Sequence, residues 1–362
     1  MKILWLAQRD PQNQRAGGVG RTINEVCSRL VEKGHEVTLL TGGWKGCKRT
    51  EFLCGFKICR IGKNIAPHLA LPVFLFKHRY DIVVNDLGHA IPWISSSILS
   101  KNIIAFFHHL HARSLPGQVN PLTAKIITAI EKCYFILYHR CAFVTESSTA
   151  RDDLLDLGIK TEKIVMIPPG VDQTIFHPAK KTDFPSLVYF GGMRKYKRPE
   201  ESIYILRNLI EKFKGLRLFL IGWGHEYENL IRLSNELELQ NSIEFEGRLS
   251  TAGLSSIVAA AWVNLHTSVT EGWGFSILEA AASGTPTVAY TVPGVVNAIE
   301  IGINGITVKD GDRKELTEAV IKILSDPGKW WSSSIEVAKK YSWDRTAELW
   351  EKLITNIKNQ PQ

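Results

Sequence analysis

Strand-like runs alternate with helical patterns along the whole chain, and the alternation restarts once near the middle. No other property limits the fold as much. In the first half, apolar runs rich in β-branched and aromatic residues fall at 2–7, 36–41, 81–85, 102–107, 141–145 and 164–167. The second half repeats the pattern at 186–190, 216–221, 242–246, 262–266, 285–290 and 305–308. Between the first two runs, Ile23, Val26, Cys27, Leu30 and Val31 stand at i, i+3, i+4, i+7 and i+8, one face of a helix that Gly34 is placed to end. Strands separated by helices predict an α/β chain with parallel sheets. The seam runs from Pro168-Pro169-Gly170-Val171-Asp172 to Asp183-Phe184-Pro185, where proline, glycine and charge concentrate. Two doubly wound domains are therefore expected, 1–172 and 173–342. Ligands belong at the carboxyl ends of both sheets, in a cleft where the domains face each other.

A chain of 362 residues, 44% hydrophobic and 22% charged, has the composition of a globular protein with two cores. No apolar run approaches the ~18 residues that cross a bilayer, and the first seven residues read as a strand rather than a leader. A cytoplasmic protein is expected. Cys27, Cys47, Cys54, Cys59, Cys133 and Cys141 form no C-x-x-C pair, which argues against zinc and suits a reducing compartment. Cys27 and Cys133 fall in apolar helical patterns and read as small buried residues.

The net charge of +8 admits nucleic acid, an anionic membrane or phosphate-bearing small molecules as partners. No nucleic-acid-binding signature accompanies it, so nucleic acid ranks last. Pro67 to Tyr80 is apolar, aromatic and basic at its end. It reads first as a core-packed helix and second as a segment lying peripherally on an anionic membrane.

The most informative stretch is Glu271-Gly272-Trp273-Gly274-Phe275-Ser276-Ile277-Leu278-Glu279. A glycine-containing loop runs into an apolar, alanine-rich helix. Helix N-termini carry unpaired N–H groups that suit a diphosphate, and glycine lets that backbone approach a ligand. Two carboxylates beside a phosphate site make sense if they hold sugar hydroxyls. Phosphate plus polyol points to a nucleotide-sugar. With the following Ala281-Ala282-Ser283-Gly284-Thr285-Pro286-Thr287-Val288-Ala289, the block resembles the E-x7-E and A-x-x-G-x-P-V-V-A signature of retaining, family-four-type glycosyltransferases of the GT-B architecture.

That resemblance covers essentially the whole chain. It implies two Rossmann-like domains, with the helix of 343–362 crossing back to complete the first. Ala16-Gly17-Gly18-Val19-Gly20 resembles the family's G-G loop for acceptor and phosphate, and Gly34-His35-Glu36-Val37 its G-H-E-V strand entry. Phe107-His108-His109-Leu110-His111 follows a strand. Three histidines in four positions raise a metal site, but no nearby carboxylate is evident to orient them, so no metal is expected. The family places a histidine near the transferring sugar, and His108 aligns with it, while His111 could serve the acceptor. Phe190 to Pro199 combines a glycine turn with four cations. Lys197 matches the family lysine that contacts the diphosphate. The family's arginine is replaced by Gly192 and its later glycine by Arg198, which leaves Arg194 as the candidate substitute. Gly247 and Arg248 match a loop contacting the nucleobase.

On this resemblance the chain is a retaining hexosyltransferase that moves a sugar from a nucleoside diphosphate-sugar to an acceptor hydroxyl, in polysaccharide or glycolipid biosynthesis. Glu279 would hold the ribose and Glu271 the donor sugar. N–H groups around Gly272, Gly274 and Phe275, with Lys197 and Arg194, would hold the diphosphate. No cofactor is expected beyond the donor. A nucleotide-sugar epimerase and a catalytically silent donor-binding subunit are the alternatives, the latter motivated by Gly192.

Overall fold

The computed structural model describes residues 1–13, 16–89, 91–111 and 120–359. The chain divides into two compact units, Met1–Pro169 together with the chain from Trp343, and Gly170–Ser342. The division thus falls at Pro169/Gly170 rather than at 172/173. Val171 already belongs to the second unit, bridged to Ser342 and buried in that unit's core.

The first unit holds eight strands: β1 (Lys2–Leu6), β2 (Glu36–Thr41), β3 (Thr50–Leu53), β4 (Phe56–Arg60), β5 (Ile82–Asp86), β6 (Ile103–Phe107), β7 (Ala142–Thr145) and β8 (Ile164–Met166). They lie in the order β3-β4-β2-β1-β5-β6-β7-β8, all parallel except the β3/β4 pair. That antiparallel hairpin was not expected. Its signal was the alternation of buried Phe56, Ile58 and Arg60 with Lys57 and Cys59, closed by Cys54 and Gly55 at positive φ.

The helix Gly17–Glu32 buries Ile23, Val26, Cys27 and Leu30 as its periodicity requires. Gly34 follows at φ 86°, and the N–H groups of Gly34 and His35 donate to Val31 and Leu30, closing the helix end. The helix Trp343–Asn359 packs on this one and joins the core through Trp350, whose ring lies 4.9 Å from that of Trp5. Arg29 donates to Asp344 at 2.6 Å and Lys33 pairs with Glu351 at 2.9 Å along the seam.

Two side-chain expectations fail here. Cys133 is exposed at a helix end, so its apolar neighbours do not imply burial. The helix Ala66–Lys77 buries only Pro67 and Leu71, while Leu69, Val73 and Phe76 are 71%, 57% and 92% exposed. Among the described residues no helix is long and apolar enough to cross a membrane.

The second unit is a six-stranded, wholly parallel sheet in the order β11-β10-β9-β12-β13-β14. Its strands are β9 (Ser186–Phe190), β10 (Arg217–Ile221), β11 (Ile243–Gly247), β12 (Val263–His266), β13 (Thr287–Tyr290) and β14 (Gly305–Val308). Near-continuous burial of β9, β12 and β13 fits strands covered on both faces. The chain runs outward from β9 through β10 to β11, then returns to the other side of β9 as β12. The order therefore reverses between β9 and β12, and that reversal is where open α/β sheets bind ligands.

Candidate functional site

Lys197 follows β9 and Glu271 follows β12, and the two side chains form an ion pair at this switch point. Glu271 Oε1 also accepts from Ser268 Oγ at 2.6 Å and lies 3.2 Å from His266 Nε2. His266 is held in turn by Ser276 Oγ, 3.0 Å from its Nδ1. All three partners meet Oε1, so among the described residues Oε2 takes no hydrogen bond. Burial alone would raise the Glu271 carboxyl, but the charge of Lys197 and the His266 contact outweigh it and hold the group well below the usual carboxylate range. The side chain is a fixed anion with one oxygen open.

The backbone around this acid is tightly built. Glu271 N donates to Pro293 O at 3.0 Å. A Cβ on Gly294, which sits at φ 84°, would lie 2.2 Å from Glu271 O. Gly274 at φ 88° caps the helix Phe275–Ala282, a backbone that side chains rarely adopt. Gly272 has open space around it. Phe275 opens the helix and Glu279 is buried within it.

The loops after β9, β10 and β11 interlock. Gly191 N donates to Ile221 O, Met193 N to Trp223 O and Gly222 N to Gly247 O. A Cβ on Gly222 would strike Gly191 O at 1.9 Å, and one on Gly224 would strike Met193 O at 2.0 Å. Glycine here serves loop-on-loop approach. Gly247 adopts φ 61°, and Arg248 and Arg194 are exposed. The Arg194 side chain lies back over Gly192, its Nε 3.7 Å from the place a Cβ on that residue would occupy.

Arg198 stands in the left-handed region at φ 47°, so this chain keeps the backbone that the family's glycine allows. Its guanidinium donates to Thr267 O and Ser268 O at 2.8 and 3.2 Å, pairs with Asp310 and covers the Tyr290 ring at 4.6 Å. Arg198 is therefore a strut beneath Ser268. Sequence reasoning missed His266, Ser268 and this role. The available signal was a histidine ending a strand five residues before Glu271.

In the first unit Gly17, at φ 61°, and Gly18 open the helix Gly17–Glu32. His108 follows β6 directly and is buried. Contrary to expectation it has carboxylate partners: Nδ1 lies 3.2 Å from Glu146 Oε2 and Nε2 3.3 Å from Asp86 Oδ1. Asp86 ends β5 and Glu146 follows β7, the neighbours of β6 in the sheet. Thr22 Oγ1 donates to the other Glu146 oxygen, Oε1, at 3.0 Å, and Gly88 N to the same Asp86 Oδ1 at 2.6 Å, while Asp86 Oδ2 is buried without a hydrogen-bond partner among the described residues. Burial disfavours a charged imidazole, but Asp86 and Glu146 overcome it and push His108 up to about 10. His111 Nδ1 likewise faces Glu131 Oε1 at 3.0 Å. Among the described residues, no three His, Cys, Asp or Glu side chains are grouped to hold a metal ion.

The model of the family "Glycosyl transferases group 1" matches residues 171–345, and that of "Glycosyltransferase Family 4" matches residues 16–174. The chain belongs to the group 1 glycosyltransferases. An uncharacterized glycosyltransferase of Methanocaldococcus jannaschii, MJ1607, is 24% identical over 96% of either chain. The sucrose-phosphate synthase of Thermosynechococcus elongatus superposes with a TM-score of 0.82 at 19% identity, covering 99% of both chains. Anabaena Alr3699/HepE, solved in complex with UDP, gives 0.77 at 15% identity, covering 98% of this chain and 100% of that one. The fold of this group 1 glycosyltransferase is thus GT-B, two α/β units with parallel sheets.

Proposed function

We propose that this group 1 glycosyltransferase moves a hexose, with retention of configuration, from a nucleoside diphosphate-sugar to an acceptor hydroxyl in polysaccharide or glycolipid assembly. The observation that carries this reading is Glu271: an anion pinned through one oxygen, with the other open to accept from a sugar hydroxyl. Beside it stand a cation and a glycine-capped helix entry, the parts that hold a diphosphate. The UDP bound to the Anabaena protein of like fold supports a nucleotide donor.

In this reading the diphosphate takes Lys197 as a partner, together with N–H groups at Gly272, Gly274 and Phe275. Arg194 swings from over Gly192 to supply the second cation. Glu279 holds the ribose, and the Gly247–Arg248 loop holds the base. Gly17 and Gly18 open the helix Gly17–Glu32 with backbone N–H groups suited to a phosphate. As the bond to the leaving phosphate breaks, the cations stabilise the departing charge. The departing phosphate oxygen takes the acceptor's proton on the face where the new bond forms, which needs no carboxylate nucleophile. His108 serves the transferring sugar only after one carboxylate yields a ring nitrogen.

The test is Lys197→Ala, assayed for transfer and for UDP binding. Loss of transfer by about 10²-fold or more with an unchanged fold is expected, and unchanged turnover removes the diphosphate assignment. Gly192 keeps the silent-subunit reading in play, and UDP binding without any transfer or donor hydrolysis would favour it.

The structure also favours peripheral contact with an anionic membrane. Leu69, Val73 and Phe76 form one exposed stripe on the helix Ala66–Lys77, and the neighbouring helix Ile94–Leu99 exposes Ile98 at 75%. Residues 1–169 and 343–362 carry 25 Lys and Arg against 16 Asp and Glu, while 170–342 carry 19 against 20. Apolar insertion from a unit of net positive charge suits an anionic interface. Phe76→Ser should weaken binding to phosphatidylglycerol vesicles about tenfold and leave the melting temperature unchanged. Equal binding by the variant would remove this contact.

A further inference from the structure

The loops after β1, β2 and β4, three neighbouring strands of the first unit, enclose a cavity of about 700 Å³ that no part of the donor reading uses. It lies at the carboxyl ends of parallel strands, on the β1 side of the reversal between β1 and β5. Among the described residues its wall carries Arg9, Lys45 and Lys63 and no aspartate or glutamate. The two nearby acids, Asp10 and Glu51, share one cation. Buried Arg60 bonds Asp10 at 2.8 and 3.1 Å and Glu51 at 2.7 Å.

The same guanidinium donates to Gln12 Oε1 at 2.8 Å and covers the Trp44 ring at 4.7 Å, so two lining side chains are held from beneath. Gln8 is fixed at both ends of its amide, by Asn64 O at 3.0 Å and by His89 Nε2 at 2.8 Å. The loops themselves are locked: Gly43 N donates to Gly62 O at 2.6 Å, and a Cβ on Gly43 would lie 3.2 Å from that oxygen. A preformed polar cavity with an aromatic wall, oriented amides and a cationic lining fits a particular chemistry. Amides bind hydroxyls, tryptophan packs against a sugar ring, and cations bind a phosphate or carboxylate.

We propose that this cavity binds the acceptor and that the acceptor is an anionic sugar or polyol, carrying a phosphate or carboxylate that Arg9, Lys45 and Lys63 recognise. The word acceptor rests on the transferase reading, whereas the anionic ligand does not.

The test is calorimetry on the full chain with hexose phosphates and hexuronates, set against the corresponding neutral hexoses and inorganic phosphate. Anionic sugars should bind at least about tenfold more tightly than neutral ones, and Lys45→Gln/Lys63→Gln should remove about that factor while UDP binding stays unchanged. Three outcomes overturn the proposal: no binding by any anionic sugar, equal binding of neutral and anionic sugars, or inorganic phosphate binding as tightly as its sugar esters. Anionic sugars that bind to a protein taking no nucleoside diphosphate would leave this site standing and remove the transferase reading. UDP binding with no anionic-sugar binding does the reverse.

Discussion

Two ion clusters built from the same kinds of residue stand at strand ends in the two units, and they are finished differently. Around Glu271, one acid meets Lys197, Ser268 and His266 through a single oxygen, and the other oxygen is open. Around His108, one base sits between two acids, with each ring nitrogen facing a carboxylate and the side chain 3% exposed. The first cluster has an oxygen left for a ligand; the second is closed in, and its atoms without a hydrogen bond among the described residues, His108 Nε2 and Asp86 Oδ2, are buried. Charge alone would nominate both, and exposure separates them: the Glu271 side chain is 13% exposed and that of His108 3%.

The sharpest test of that contrast is Glu271→Gln. The amide keeps the shape and cannot provide a fixed anion, so transfer should fall about 10²-fold or more with UDP binding retained. A smaller effect than that of His108→Gln on transfer would reverse the assignment of the two clusters.

Next is the pH dependence of stability. His108 is raised to about 10, so its contribution is full below the ordinary histidine value and is lost as pH rises from there through about 10. Glu271 is depressed, so its contribution is present above the ordinary carboxylate value and is lost only as pH falls below it. Thermal melts between pH 7 and 10 should show a decline that His108→Gln flattens. A slope identical in wild type and variant would place the His108 charge elsewhere.

The smallest effect expected is from Arg198→Gly. Glycine relieves left-handed strain of about 1 kcal/mol but loses the donations to Thr267 O and Ser268 O. A net loss of about 1 kcal/mol is expected, read by chemical denaturation. A gain in stability would show that the arginine is not a strut.

Much of the architecture was legible because it is written locally. Twelve strands announced themselves through apolar runs, and the helix Gly17–Glu32 through its period. The hairpin at Thr50–Arg60 went unread although its alternation is local, because its second strand buries an arginine where the pattern calls for an apolar residue. In the site, Lys197, Gly274, Glu271 and Glu279 lie within short segments whose residue types imply their chemistry. His266 and Ser268 do not, since a histidine or serine at a strand end has many uses.

By itself the sequence determined an α/β chain of two doubly wound halves and the stretch from Glu271 to Glu279 as its most constrained segment. Only the tertiary structure decided who stands next to whom. Asp86, His108 and Glu146 are far apart in the chain and meet because β5, β6 and β7 are neighbours in the sheet. Lys197 reaches Glu271 because β12 returns beside β9. Strand periodicity fixes which residues face inward, but sheet order fixes their partners, and it is set by the packing of the whole unit rather than by any local run.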